Sequence, residues 1–206
     1  MLRLWGHKNS SNVQKVLWAL DELRLDFERV DAGGPFGRVR DADYLTLNPN
    51  GLVPTLEDGP LVLWESHAIV RYLFGRYGSP PLQPSDLADR ARADAWTDWQ
   101  FGTLWPPVRT LLVQLVRTPE ERRDQGAVDA ARKAALAALG ILDRELARHP
   151  WAAGEYFTFA DIPLGVAAQR WYNLPLERPA LQHVDAWYAR VRRRPGFERW
   201  VDLPLS

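Results

Sequence analysis

The chain predicts an α+β protein, with a small mixed-sheet domain of βαβ-ββα order followed by an all-helical bundle. Three observations carry that reading. Strand and helix periodicities alternate as far as residue 77, the run Gly78-Ser79-Pro80-Pro81-Leu82-Gln83-Pro84-Ser85 holds three prolines in eight residues, and beyond it only helical spacing remains. The domains are therefore read as residues 1–77 and 87–206, joined by a linker over 78–86.

Residues 2 to 6 read as a short strand, and from Val13 the apolar positions Val13, Val16, Leu17, Leu20 and Leu23 follow helical spacing. Phe27-Glu28-Arg29-Val30-Asp31 alternates as a second strand. Reaching it through a helix implies a right-handed crossover and parallel pairing. Ala32 to Asn50, rich in Gly and Pro, reads as a loop over the sheet with room for one short irregular helix. Two apolar strands then flank the Asp58-Gly59 turn within Val53 to Leu63, the signature of an antiparallel hairpin. Glu65-Ser66 opens a helix whose apolar positions Ala68, Ile69, Tyr72 and Leu73 share a face.

In the second region Val128, Ala131, Ala135, Leu139, Leu142 and Leu146 form one helical stripe, and Leu181, Val184, Tyr188 and Val191 another. Pro106-Pro107 interrupts a further helical stretch, so a break or kink is expected just before it. Thr158-Phe159-Ala160-Asp161 resembles a capping box with Asp in place of Glu or Gln and is assigned to folding.

The composition excludes several function classes. The 206 residues carry 26 basic and 26 acidic side chains, nine against ten through residue 77 and seventeen against sixteen beyond it. Neither part has the basic excess of a nucleic-acid binder. The run Arg190, Arg192, Arg193, Arg194 reads as a solvated helix end, where basic residues suit the dipole. The first residues lack the apolar core of a secretory signal, and no run approaches the roughly 18 apolar residues of a membrane span, so a cytoplasmic location is expected. The absence of cysteine removes disulfides, thiolate metal sites and protein-borne thiol nucleophiles. His7, His67, His149 and His183 share no ligand-like spacing, so no metal is expected.

The most informative segment is Ser10-Ser11-Asn12-Val13-Gln14-Lys15-Val16, at the junction of the first strand and helix. It sets two hydroxyls and an amide where unpaired backbone N–H groups and the helix dipole favour an anion. A thiolate, phosphate or carboxylate gains there. Any sulfur at this corner must arrive with a small molecule.

Together with Asn48-Pro49-Asn50-Gly51-Leu52-Val53-Pro54-Thr55-Leu56, Trp64-Glu65-Ser66-His67-Ala68-Ile69 and Phe159-Ala160-Asp161, that segment resembles the glutathione S-transferase family, in particular its theta- and nu-like members. The resemblance runs over essentially the whole chain. It implies a thioredoxin-like N-terminal domain, an α-helical C-terminal domain, a cytosolic homodimer and glutathione as co-substrate.

The same resemblance implies roles for individual residues. A hydroxyl near the first helix donates to the glutathione thiol, and each pKa unit of lowering corresponds to about 1.4 kcal/mol of preferential thiolate stabilisation. Matching subgroups that pair a hydroxyl with an Asn two residues on selects Ser10 with Asn12, while the theta-like pattern selects Ser11. Ser11-x-x-Gln14 also fits a capping box, in which Ser11 serves only as an N-cap. Val53-Pro54 resembles the family's cis-proline segment, which pairs with the glutathione backbone like an added strand, and Asn50 joins it in the binding set. Glu65 and Ser66 suit the ammonium and α-carboxylate of the γ-glutamyl end. Among ten tryptophans and their aromatic neighbours, Trp105 and Tyr172 are the candidates for a second-substrate pocket.

Conjugation of the thiolate to a hydrophobic electrophile is the first function implied. Glutathione-dependent disulfide or peroxide reduction and a non-catalytic interaction module are the alternatives, because one fold hosts several activities.

Overall fold

The computed structural model describes residues 1–205. It divides into two compact units, one formed by residues 1–78 with 195–203 and the other mainly by residues 79–194.

The first unit is built on strands β1 (Leu2–Trp5), β2 (Phe27–Val30), β3 (Thr55–Asp58) and β4 (Leu61–Trp64), in the order β2-β1-β3-β4. β1 runs parallel to β2, with Leu2 opposite Phe27, and antiparallel to β3, with Leu4 opposite Leu56. β3 and β4 are antiparallel around the turn at Gly59, whose φ of 58° suits glycine. The helices of this unit are α1 (Ser11–Glu22), α2 (Ala42–Leu47), α3 (Ser66–Tyr77) and, from the far end of the chain, α9 (Pro195–Trp200). A 3₁₀ turn at Gly34–Phe36 and the short α2 occupy the segment read as a loop.

α1 is buried on every side from Val13 to Leu20 because α3 and α9 both pack against it. Phe197 meets Trp18 edge-on at 5.3 Å, and Arg199 pairs with Asp21 at 2.6 Å. A Cβ at Gly196 would lie 2.6 Å from the Trp18 ring, so the last helix needs a glycine to dock. The helical pattern placed residues 195–203 in the bundle; these contacts group them with the sheet.

The buried face of α3 also differs from the expectation. Ser66, His67, Ile69, Val70, Leu73 and Phe74 point inward, whereas Ala68 and Tyr72 are only half-buried. The Tyr72 and Tyr77 hydroxyls both donate to Asp58, which turns that side of α3 toward the hairpin.

In the second unit α4 (Leu87–Trp99), α5 (Trp105–Leu112), α6 (Gln125–Leu146), α7 (Asp161–Asn173) and α8 (Gln182–Arg192) form the helical domain. The chain stays helical before Pro106-Pro107: a π turn over Gln100–Leu104 widens the path, and the prolines fall in the first turn of α5, where a missing N–H is best tolerated. The expected α6 stripe is buried from Val128 to Leu146.

α7 starts on a closed polar cluster. The buried Asp161 carboxylate accepts from the Thr158 and Ala152 N–H groups at 3.1 and 3.2 Å and from the Trp187 indole at 2.9 Å, while Thr158 Oγ1 accepts from Ala160 N–H. Burial pushes this carboxyl up to about 6 against the pull of those donors. Among the described residues, no helix is long and apolar enough to cross a membrane and no group of three His, Asp or Glu could hold a metal ion.

Candidate active site

A small hollow in the first unit is lined by Asn12, Asn48, Asn50, Leu52, Val53, Pro54, Glu65 and Ser66. Asn12 and every residue read from the sequence as a glutathione contact therefore meet in one place. The fold brings Asn12 in the first turn of α1 and Glu65 and Ser66 at the start of α3 beside the loop that enters β3.

Ser10 is the N-cap residue of α1 and Ser11 its first helical residue. Ser11 therefore does not hold the cap position that a capping box with Gln14 requires, and the Ser10 side chain makes no capping hydrogen bond either. Both serines are half-buried, and neither is among the residues lining the hollow.

Asn12 is exposed, and its side-chain oxygen is occupied from within. Lys15 Nζ donates to Oδ1 at 3.1 Å, and the Ser66 hydroxyl donates to the same oxygen at 3.4 Å. An ammonium has no acceptor, so the atom facing it must be oxygen, which turns the Asn12 NH2 group away from Lys15. Lys15 is 1% exposed and also donates to His67 Nε2 at 3.0 Å. His67 is pushed down to about 2, first by burial and then by the Lys15 charge, so at neutral pH it is an uncharged acceptor at Nε2 and carries its proton on Nδ1. Lys15 and His67 are members of the site that the sequence reading missed. A lysine inside an apparently amphipathic helix reads as solvated, and no local pattern signals its burial.

The loop before β3 is fastened by side chains. Asn48 Nδ2 donates to the Leu52 carbonyl at 2.9 Å and to Thr55 Oγ1 at 3.1 Å, and the Tyr44 hydroxyl donates to the same carbonyl at 2.6 Å. Asn50 donates to Asn48 Oδ1 through both its backbone and side-chain nitrogens, so part of its amide is already spent within the loop. Gly51 has φ of 60°, and a Cβ there would meet the Val39 carbonyl at 2.9 Å. Val53–Pro54 is a cis peptide, and among the described residues Val53 has no backbone hydrogen-bond partner. Its N–H and C=O remain available to an extended ligand.

Glu65 caps α3 with φ 73° and ψ 112°, a left-handed conformation that a non-glycine residue adopts at a cost of about 1–3 kcal/mol. Its exposed side chain makes no cap hydrogen bond. Ser66 is buried, with its hydroxyl directed to Asn12.

The second-substrate candidates lie in the helical unit. Trp105 is half-buried at the start of α5. The Tyr172 hydroxyl donates to Asp185 and its ring stacks on Tyr188 at 4.4 Å, so its polar end is engaged within the bundle. A cleft of about 780 Å³ in this unit is lined by Trp96, His149 and Tyr156, among others, and by neither candidate.

Comparison with known proteins gives one answer along the chain. Residues 1–74 match the family model described as glutathione S-transferase, N-terminal domain, and residues 104–195 match glutathione S-transferase, C-terminal domain. The chain is 44% identical over 208 aligned residues to glutathione S-transferase GstB of Escherichia coli (strain K12), covering 100% of each. It is 33% identical to glutathione S-transferase 3 of Zea mays, covering 99% of this chain and 95% of that one. Among solved structures, the theta class glutathione S-transferase of Xanthomonas axonopodis pv. citri with glutathione bound superposes with a TM-score of 0.94 at 45% identity, covering 100% of this chain and 99% of that one.

Proposed function

The chain belongs to the glutathione S-transferase family, and from that premise we propose which of its residues bind and ionise glutathione. The protein is a glutathione transferase. The observation that carries the site assignment is the convergence of Asn12, Val53, Glu65 and Ser66 on one hollow between two helix N-termini.

Glutathione lies extended along Val53, whose N–H and C=O pair with its backbone like an extra strand. The Glu65 carboxylate takes the γ-glutamyl ammonium. The Ser66 N–H takes its α-carboxylate at the positive end of α3, while the Ser66 hydroxyl stays on the Asn12 oxygen. Those contacts deliver the sulfur to the first turn of α1. There Ser10 or Ser11 and the Asn12 amide donate to it, and hydrogen bonds to the charged form lower the thiol pKa. The thiolate then attacks an electrophilic carbon of a hydrophobic compound. The S–C bond forms as the leaving group departs with its electron pair, and the thiol proton passes to solvent. Much of the rate comes from holding two reactants together with the thiol already ionised.

The curated relatives carry transferase names, which gives neither disulfide reduction nor a non-catalytic role added support. A homodimer, a cytoplasmic location and a detoxifying role complete the reading by family likeness. With glutathione and an aryl-halide electrophile, the Ser10→Ala, Ser11→Ala double variant is expected to lose roughly 100-fold in kcat, the scale of a lost oxyanion donor. Unchanged turnover would remove the serines from the mechanism.

A further inference from the structure

We propose that Lys15 is a positioning residue: from inside the fold it holds the Asn12 side-chain oxygen so that the amide donors face the glutathione sulfur. The proposal deepens the site reading above and rests on Asn12 being a donor to the sulfur.

An asparagine on an exposed first turn has two amide orientations of similar shape and opposite consequence. One presents N–H donors to a thiolate, and the other presents a carbonyl oxygen that repels it. The choice here is made on the buried side. Lys15 offers only donors and sits 3.1 Å from Oδ1, and the Ser66 hydroxyl adds a second donor to that oxygen. Lys15 is itself fixed by a second bond, to His67 Nε2 at 3.0 Å. A buried ammonium is costly unless its donors are used, so it resists being drawn off Asn12. His67 and Ser66 both belong to the first turn of α3, so the same link ties the sulfur end of the hollow to its γ-glutamyl end.

The test compares Asn12→Ala, Lys15→Met, the pair combined, and Asn12→Asp. The readouts are thiolate ultraviolet absorbance of bound glutathione at neutral pH, kcat and KM for glutathione, and thermal midpoint. Asn12→Ala and Lys15→Met are each expected to lower thiolate fraction and kcat by roughly tenfold or more, the double variant falling no further than Asn12→Ala. Asn12→Asp keeps an oxygen on Lys15 and turns a second one outward. It should hold the wild-type midpoint and still lose thiolate at least as fully as Asn12→Ala.

A Lys15→Met loss that multiplies in full onto Asn12→Ala would overturn the positioning role while leaving Asn12 as donor. Wild-type thiolate in Asn12→Asp would overturn the stated amide orientation. Wild-type thiolate in Asn12→Ala would instead remove Asn12 from the site reading, and this inference with it. If Lys15→Met does not fold, Lys15→Gln takes its place in the same comparison, and wild-type thiolate in Asn12→Asp still overturns the orientation on which the proposal stands.

Discussion

Two polar clusters in this protein sit at helix beginnings, and they are completed differently. At α7 the Asp161 carboxylate gathers three N–H donors, from Ala152, Thr158 and Trp187, and Thr158 returns an acceptor to Ala160. At α1 and α3 the Asn12 oxygen gathers Lys15 and Ser66, and Lys15 reaches His67, while Asn12, Val53, Glu65 and Ser66 line a hollow. The first cluster is finished by the protein. The second is left open beside a hollow. A satisfied buried network contributes stability, and one with groups left facing outward contributes recognition at some expense in strain, here at Glu65.

The largest expected effect separates those roles. Asp161→Ala leaves three buried N–H groups without an acceptor, at about 1–3 kcal/mol each, so a loss of at least about 3 kcal/mol is expected in urea unfolding. Calorimetric affinity of the folded variant for glutathione should not change. A fall in that affinity would break the division between a structural and a functional cluster.

The two clusters also differ in how far the sequence reveals them. Thr158 to Asp161 stands in a local pattern with bonds two and three residues long, which short-range rules reveal, and only the Ala152 and Trp187 donors, nine and 26 positions away, lie beyond it. The ligand-facing cluster joins residues some fifty positions apart, Lys15 to His67 and Ser66 to Asn12, and only resemblance to a family brings Asn12, Val53, Glu65 and Ser66 together in advance. Lys15 escapes because α1 is covered on all sides, by α3 and α9 among others, a fact of tertiary packing that one apolar stripe does not encode. For the same reason residues 195–203 are legible as part of the helical region but not as neighbours of Trp18. Strands, hairpin and the α6 stripe are legible because each depends on spacing within one segment.

A medium effect follows from His67. Its folded pKa lies at about 2, lowered by burial and by the Lys15 charge, against the ordinary histidine value of 6.5 in the unfolded chain. Below pH 6.5 the unfolded chain takes up a proton that the folded chain refuses. This contribution to stability is therefore complete above pH 6.5 and is lost as pH falls toward 2, with a slope of at most about 1.4 kcal/mol per unit. Between about pH 6.5 and pH 5, the wild type should lose about 1–2 kcal/mol more than His67→Gln. Parallel stability curves would mean that the imidazole accepts a proton inside the fold, and the ligand-facing cluster would then be less dry than its geometry indicates.

The smallest effect bears on the serines. Thr158→Ala removes the hydroxyl that accepts from Ala160 N–H and should cost about 1 kcal/mol, the usual scale of a lost cap contact. Ser11 is the first residue inside α1, and the expected capping box to Gln14 is not formed. Alanine also has the higher helix propensity, so Ser11→Ala should alter stability by less than about 0.5 kcal/mol, with a small gain favoured. A cost near that of Thr158→Ala would return Ser11 to the role of helix cap. A neutral change accompanied by lower kcat would leave its hydroxyl with no use except the sulfur, and reading Ser10→Ala beside it would then show which serine makes that bond.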